Sequence, residues 1–165
     1  MRMLLIGGAL AVLVVTQAGC ASSSASSSSQ KTLQRQADLY AINDIEKKFH
    51  KATSKHDIDL MMSLWAPNAT FTYGPGETAT GKKEIRHAWL DESKAFNSNW
   101  VSETPAYKVR AAVYGDRGAL HFECHYVDLK TEKIAAVTAA DQEVARINGR
   151  WLITSMVGGS ATLTP

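Results

Sequence analysis

Nothing in this sequence can build a disulfide framework. Its only cysteines are Cys20 and Cys124, so the stapled, loop-rich scaffolds of small secreted domains are excluded. It also lacks an apolar run long enough to span a bilayer. Leu4 to Val15 is twelve residues long, whereas a spanning helix needs roughly 20. Long blocks of one charge are missing too. Lys plus Arg number 18 against 16 Asp plus Glu, and no basic block exceeds two residues, which argues against a nucleic-acid surface. No glycine-rich phosphate loop, dinucleotide fingerprint or internal repeat is present, so those nucleotide-binding and solenoid classes drop out.

What is present begins at the amino terminus. A basic start (Met1-Arg2-Met3), the apolar run and then Gln17-Ala18-Gly19-Cys20 have the layout of a secretory signal. Cysteine directly after Ala-Gly resembles a bacterial lipobox, in which that cysteine is lipidated and becomes the first residue. Seven serines between 22 and 29 follow, a composition typical of a flexible polar tether. The expectation is therefore a signal peptide over 1–19, lipidated Cys20 with a serine-rich tether over 20–30, and a domain over 31–165. Location would be the cell envelope, lipid-anchored and facing the periplasm or exterior. The alternative is a secreted protein cut by ordinary signal peptidase at the small residues around Gly19. With Cys20 lipidated, Cys124 has no disulfide partner; it is either a buried small apolar residue or a reactive thiol.

Beyond the tether, about 135 residues suit a single domain with its own core. Leu33, Ala37, Tyr40, Ala41, Ile45, Phe49 and Ala52 recur at helical spacing. Asp57 can cap a second, short helix carrying Ile58, Met61, Met62 and Trp65, which Pro67 stops. Ala69 to Tyr73 reads as a brief strand before the Gly74-Pro75-Gly76 turn. Gly81 opens a third helix with Ile85, Ala88, Trp89, Glu92 and Phe96 in register. After Pro105 the period changes to two. Strands are expected at Tyr107–Tyr114, Ala119–Lys130, Ile134–Ile147 and Trp151–Val157, and Asn148-Gly149 is a strong tight-turn signal. Three helices followed by consecutive short-turn strands indicate an α+β domain, with helices packed on one face of an antiparallel sheet.

Five segments, in order, resemble the nuclear-transport-factor-2-like (NTF2-like) superfamily, which includes SnoaL-like polyketide cyclases and ketosteroid isomerases. They are Ser54-Lys55-His56-Asp57, Leu64 to Phe71, Gly81 to Arg86, Tyr114 to Ala119, and Ile147 to Ile153, within residues 36–160. The resemblance implies a strongly bent, cystatin-like sheet curling around the long helix to form a cone-shaped pocket. It also implies a homodimer through the outer face of the sheet. It implies no single reaction, because the fold hosts enzymes, binders and assembly domains. Against the ketosteroid isomerases, the position of the Asp base is Tyr73 and that of the oxyanion-holding Tyr is Phe49. Glu143, counted back from Asn148-Gly149, stands for the second acid. A phenol with an ordinary pKa near 10 and a phenyl ring do not make the required base and donor.

Other candidates come from the residues themselves. His121, Glu123 and His125 share one face of a strand, a set that invites a metal. Same-face neighbours lie roughly 6.8 Å apart, so three from one flat strand cannot converge. Leu120, Phe122, Cys124 and Tyr126 form the opposite, apolar face, which puts the polar triplet at solvent or a dimer contact. His56 and His87 suit a turn and a helix surface, while His50 sits beside Phe49 on the helix that would wall the pocket.

The candidate ligand-binding residues are Phe49, Trp65, Tyr73, Trp89, Phe122, Tyr126 and Glu143, with Trp151 and Asp141 nearby; the same rings could equally fill a core. Tyr73, Asp141 and Glu143 are the candidate catalytic groups. No metal or cofactor is implied. Three functions remain open: a tethered domain binding or processing a small apolar molecule, a non-catalytic accessory or dimerisation domain, and an isomerase, lyase or hydrolase using a pocket carboxylate.

Overall fold

The computed structural model describes residues 22–102 and 105–163; the expected signal segment 1–19 and lipidated Cys20 lie outside these residues. Helix α1 (Ser22–Lys55) leads into short helix α2 (Ile58–Ser63), strands β1 (Trp65–Tyr73) and β2 (Glu77–Thr80), and helix α3 (Gly81–His87). The last turn after α3, Ala88–Glu92, is π-helical. Strands β3 (Trp100–Ser102), β4 (Lys108–Tyr114), β5 (Arg117–Asp128), β6 (Lys133–Ile147) and β7 (Arg150–Thr162) complete the chain. Among the described residues, no helix is long and apolar enough to cross a membrane.

Helix α1 starts inside the serine run, and residues 27–37 are all exposed. Packing begins at Asp38. The buried stripe from there is Ile42, Ile45, Phe49 and Ala52, interleaved with buried Glu46, His50 and Thr53. The sequence stripe is therefore corrected at its first half: Leu33 and Tyr40 are each 70% exposed, Leu33 ahead of the packed stretch and Tyr40 off the buried face that Asp38 and Ile42 mark. Asp57 caps α2 as expected, its Oδ1 accepting from the Leu60 amide at 2.9 Å. The third helix is shorter than its periodicity suggests. Its helical turns end at Glu92, and Phe96 is buried from the following loop.

The strand order is β2-β1-β7-β6-β5-β3, with β4 pairing the same edge of β5 as β3. All pairings are antiparallel except β1 with β7, which run parallel. The sheet is therefore mixed rather than purely antiparallel, since β1 arrives from α2 and joins the sheet alongside the last strand. Strands β2 and β3 lie in stretches to which the sequence pattern assigns no element. Each is a short addition, four and three residues long, to a longer neighbour. Asn148 and Gly149, both at positive φ (50° and 76°), turn β6 into β7, as a two-residue primed hairpin turn requires.

Alternation decides what faces α1. On β5 the inward residues are Gly118, Leu120, Phe122, Cys124 and Tyr126; on β6 they are Ala136, Thr138, Ala140, Gln142 and Val144. The β6–β7 register shifts between Glu143 and Val144, with Glu143 opposite Ser155 and Val144 opposite Ile153. The extra β7 residue, a bulge, changes the inward set from Trp151 and Ile153 to Met156 and Gly158. At Gly118 the helix side chain Ile42 packs directly onto the backbone of β5. A Cβ there would lie 2.6 Å from the Ala112 carbonyl oxygen and 2.8 Å from Ile42 Cδ1. Gly118→Ala is expected to destabilise the domain by about 2–3 kcal/mol, the cost of overpacking against an immobile backbone. Chemical denaturation would show it as a lowered midpoint with unchanged slope.

Candidate functional site

Beyond Phe49 the inner face of the sheet changes character. The inward residues of β6 become Ala136, Thr138 and Ala140, and β7 contributes Gly158, Gly159 and Ser160. Small side chains on two adjacent strands cannot fill the curl of the sheet. A cavity of about 600 Å³ results, walled opposite by aromatic rings from α1, β1, the π-helical turn, β3 and β5. These are Phe49, Phe71, Tyr73, Trp89, Trp100, Phe122 and Tyr126.

The rings brace one another. Trp89 stacks flat on Phe71 with centroids 5.3 Å apart and an interplanar angle of 2°, and meets Phe49 edge-on at 5.3 Å. Phe49 in turn packs on Phe122 at 5.3 Å. Trp89 and Glu92 both belong to the π-helical turn, a local widening often found at functional sites. At the rim the Tyr73 hydroxyl donates to Glu92 Oε1 at 3.2 Å. Burial, together with the neighbouring Glu92 carboxylate, raises the phenol above its ordinary pKa, so it stays a donor.

Of the residues singled out from sequence, Phe49, Tyr73, Trp89, Phe122 and Tyr126 line this cavity. Trp65 does not: it is fully buried behind Phe71, against which it packs at 5.6 Å. Trp151 lies toward the opposite end of α1, where its indole donates to Asp38 at 3.3 Å and Arg146 sits over its ring. Asp141 and Glu143 are corrected. Both are exposed and occupy the outward parity of β6, facing away from the cavity. Counting back from the Asn148-Gly149 turn fixed a distance along the strand but not the face; Ala140, Gln142 and Val144 are the inward neighbours. The carboxylates that reach the cavity are Glu77 and Glu92. Phe71, Trp100 and Thr138 were missed. The readable signal was the alternation of small residues over 136–140 beside Gly158-Gly159.

The polar triplet lies on the outer face, as strand alternation indicates. His121 bridges Asp141 Oδ1 (2.8 Å) and Glu123 Oε1 (3.2 Å), bonds that raise its pKa. Glu123 also pairs with Lys108 and accepts from Tyr107 at 2.9 Å, which holds its carboxyl down at about 2. His125 stacks on Tyr107, with ring centroids 4.7 Å apart.

A buried polar cluster, by contrast, lies directly behind the cavity wall. His50 is fully buried, and its ring meets that of Phe122 at 4.8 Å. His50 Nδ1 is 2.5 Å from Ser102 Oγ. Its Nε2 lies 3.2 Å from Glu46 Oε1, close enough for an ion pair but off the angle of a hydrogen bond. Glu46 also accepts the Ala106 amide at 3.0 Å. Ser102 Oγ donates to Cys124 Sγ at 3.7 Å, and Cys124 Sγ is 3.1 Å from Thr138 Oγ1. Burial alone would push the imidazole pKa down, but the contacts with Cys124 and Glu46 raise it to about 9. Burial likewise opposes ionisation of Glu46, and His50 and the Ala106 amide overcome it. The pair is therefore imidazolium and carboxylate at neutral pH. Cys124 is buried, its sulfur within hydrogen-bond reach of Ser102 Oγ and Thr138 Oγ1.

The sign of the linkage follows. A folded-state pKa of about 9 above the ordinary 6.5 stabilises the fold fully below pH 6.5, and that contribution disappears as pH rises through 9. Equilibrium denaturation is expected to lose roughly 3 kcal/mol across this window, taking about 1.4 kcal/mol per pKa unit. His50→Gln should be less stable at pH 6 and nearly flat from pH 6.5 to 9. A variant as steep as the native protein would assign the titration elsewhere.

Residues 47–153 match the sequence profile described as a SnoaL-like domain. No curated protein matches the chain. Solved structures do. An NTF2-like protein with a cystatin-like fold from Novosphingobium aromaticivorans shares 14% identity at a TM-score of 0.68, over 86% of this chain and 91% of that one. LinA shares 17% identity at a TM-score of 0.67, over 81% and 92%. A protein of unknown function with a cystatin-like fold from Nostoc punctiforme shares 20% identity at 0.65, over 78% and 95%. At these identities the likeness establishes the fold.

Proposed function

The chain belongs to the SnoaL-like domain family, and we propose that it binds a small, largely apolar molecule in its cone, working from the cell envelope on a lipid carried by Cys20. The observation that carries the reading is the aromatic-walled cavity of about 600 Å³, within the range of small-molecule sites. An accessory domain has no need of such a space, and filling it would have taken only larger residues at 136, 138 and 140. Charge supports an apolar ligand: the charged residues lining the cavity, Glu77, Glu92 and Lys94, are exposed, and the buried Glu46–His50 pair is internally balanced. Processing of the ligand has less support, because Asp141 and Glu143 face away from the cavity.

The envelope location rests on the Gln17-Ala18-Gly19-Cys20 segment and the serines after it. The second copy expected from the family would meet this one through the outer sheet face, where Arg110, His121, Asp141, Glu143, Ser155 and Val157 line a shallow groove. No nucleic-acid partner is proposed.

Native mass spectrometry of protein extracted gently from its own membrane tests these points together. The expected spectrum shows a dimer, a lipid adduct on the Cys20 peptide and a co-purifying small molecule. Ala140→Leu, which places a larger side chain in the cavity wall, should lose that molecule or weaken binding at least tenfold while circular dichroism stays native. Retention of full binding by this variant would remove the cavity from consideration. Cys20→Ala should move the protein from the membrane to the soluble fraction.

A further inference from the structure

Helix α1 carries an uneven share of the charge. It holds six of the chain's 18 basic residues and three of its 16 acidic ones. Two of those acids, Asp38 and Glu46, are buried and bonded inside the fold. At about 100° per residue, Leu33, Tyr40, Lys47, Lys48, Lys51 and Lys55 fall within an arc of about 100° on the side turned away from the sheet. All six are exposed. The acid in this arc is Asp44, which pairs with Lys48 at 2.6 Å. The carboxy-terminal part of the arc therefore keeps a positive excess, and its amino-terminal part presents an aliphatic and an aromatic side chain. Lys47 joins the two, its Nζ 5.9 Å from the centre of the Tyr40 ring.

An exposed Leu or Tyr alone is ordinary. Position in the chain gives these two their meaning. Helix α1 begins at Ser22, two peptide steps after Cys20, which is at most about 7 Å of chain. A lipid on Cys20 would hold the first turn at the level of the headgroups, and the helix could then stand upright or lie flat. Upright, Lys47 would be about 37 Å from the first turn at 1.5 Å per residue, far beyond the Debye length of about 8 Å. Leu33, Tyr40 and all four lysines would then stay in water. Flat, the lysines reach headgroup phosphates while their stems, Leu33 and Tyr40 cover apolar surface. Both effects favour the flat pose. A second copy is a poor occupant, because two lysine-rich faces repel. The sheet packs on the opposite side of α1, so this pose leaves the outer sheet face clear.

We propose that the outward face of α1 is a docking surface for an anionic phospholipid bilayer, with the helix lying parallel to the membrane plane. Lys47, Lys48, Lys51 and Lys55 take the headgroup phosphates, and Leu33 and Tyr40 enter the interface. The proposal rests on the envelope reading above, which supplies the lipid on Cys20.

The test uses the full chain, extracted from its own membrane and reconstituted into two kinds of vesicle. One is phosphatidylcholine alone; the other contains about 30% phosphatidylglycerol. A nitroxide on Ala37→Cys, exposed on the same arc, reads immersion from its relative accessibility to oxygen and to a water-soluble nickel chelate. A second label on Thr131→Cys, in the exposed turn between β5 and β6, reads a different part of the surface. The oxygen-to-nickel ratio at 37 is expected to be about fivefold higher on the anionic vesicles, and the ratio at 131 equal on both. Combining Lys47→Gln, Lys48→Gln, Lys51→Gln and Lys55→Gln should abolish the difference at 37 without changing thermal unfolding. Raising the salt to about 0.5 M should reduce it in the native protein.

A water-like ratio at 37 on both vesicles overturns the proposal. So does immersion at 131 in place of 37, which assigns docking to the hairpin end. Dipolar broadening between labels at 37 assigns the face to a second copy and overturns it as well. A difference that survives the four glutamines overturns the role of the lysines. The unsubstituted protein, labelled in parallel and subtracted as a blank, shows whether Cys20 is free. A signal there removes the lipid anchor, and the ratio at 37 on anionic vesicles still decides the docking face.

Discussion

The fold depends on how α1 is held inside the curl of the sheet. Apolar contact supplies the seam: Ile42, Ile45, Phe49 and Ala52 are all nearly inaccessible. Such a seam tolerates sliding, because a one-turn shift presents another apolar face. Polar contacts at both ends fix the register. At the amino-terminal end Asp38 receives Arg146 at 2.6 Å and the Trp151 indole at 3.3 Å. Burial disfavours its charge, yet these bonds hold its pKa below the ordinary value. At the carboxy-terminal end Glu46 takes the Ala106 amide, His50 meets Ser102, and Ser54 accepts the Ser102 amide at 2.8 Å. A helix displaced by one turn would leave both sets of buried groups unpaired, at a cost of several kcal/mol. The clamps therefore contribute uniqueness of position more than net stability.

That fixed position determines where the cavity lies. The helix occupies the half of the sheet in which inward residues are large or branched, among them Leu120, Val144, Trp151 and Ile153. Its Phe49 marks the edge. Past it, β6 and β7 present alanine, threonine, glycine and serine, and the opposing rings are carried by β1, β3 and the turn after α3. The bulge in β7 belongs to the same design. Without it, Val157 and Gly159 rather than Met156 and Gly158 would continue the inward set, and a branched side chain would stand in the wall. The π-helical turn is comparable: it ends α3 with Trp89 laid flat on Phe71 and Glu92 within reach of Tyr73.

Much of this was legible in the chain. Helical period before Pro105, strand period after it, and the Asn148-Gly149 turn indicated the α+β order, because each is a local signal that the tertiary structure respects. Strands β2 and β3 were not legible, since they exist only as partners of β1 and β5 and have too few residues to show a period. The outward face of β5 was read correctly from the contrast between His121, Glu123, His125 and Leu120, Phe122, Cys124, Tyr126. The face of Glu143 was not, because counting from a turn ignores parity, and the alanine-rich β6 offers little apolar contrast to correct it. His50 shows the other limit. A histidine on an apolar stripe reads as an ordinary surface or interface residue until Ser102, Cys124 and Glu46 come in from 52, 74 and 4 residues away.

The distribution of charge bounds what this cone can do. The residues that stand at the ketosteroid-isomerase base and oxyanion positions are a phenol at the rim, Tyr73, and a phenyl ring in the wall, Phe49. The buried Glu46–His50 pair is sealed behind Phe49 and Phe122. Affinity in such a site must come chiefly from apolar area. A ligand burying about 300 Å² of apolar surface gains about 7 kcal/mol at 25 cal/mol per Å². Association and ordering costs then leave an affinity no tighter than the micromolar range unless something is added. A single well-placed donor in a dry wall adds about 1–1.5 kcal/mol, close to a tenfold change. In a cavity without a fixed charge at its floor, selectivity among apolar molecules of similar size thus rests on one or two hydrogen bonds.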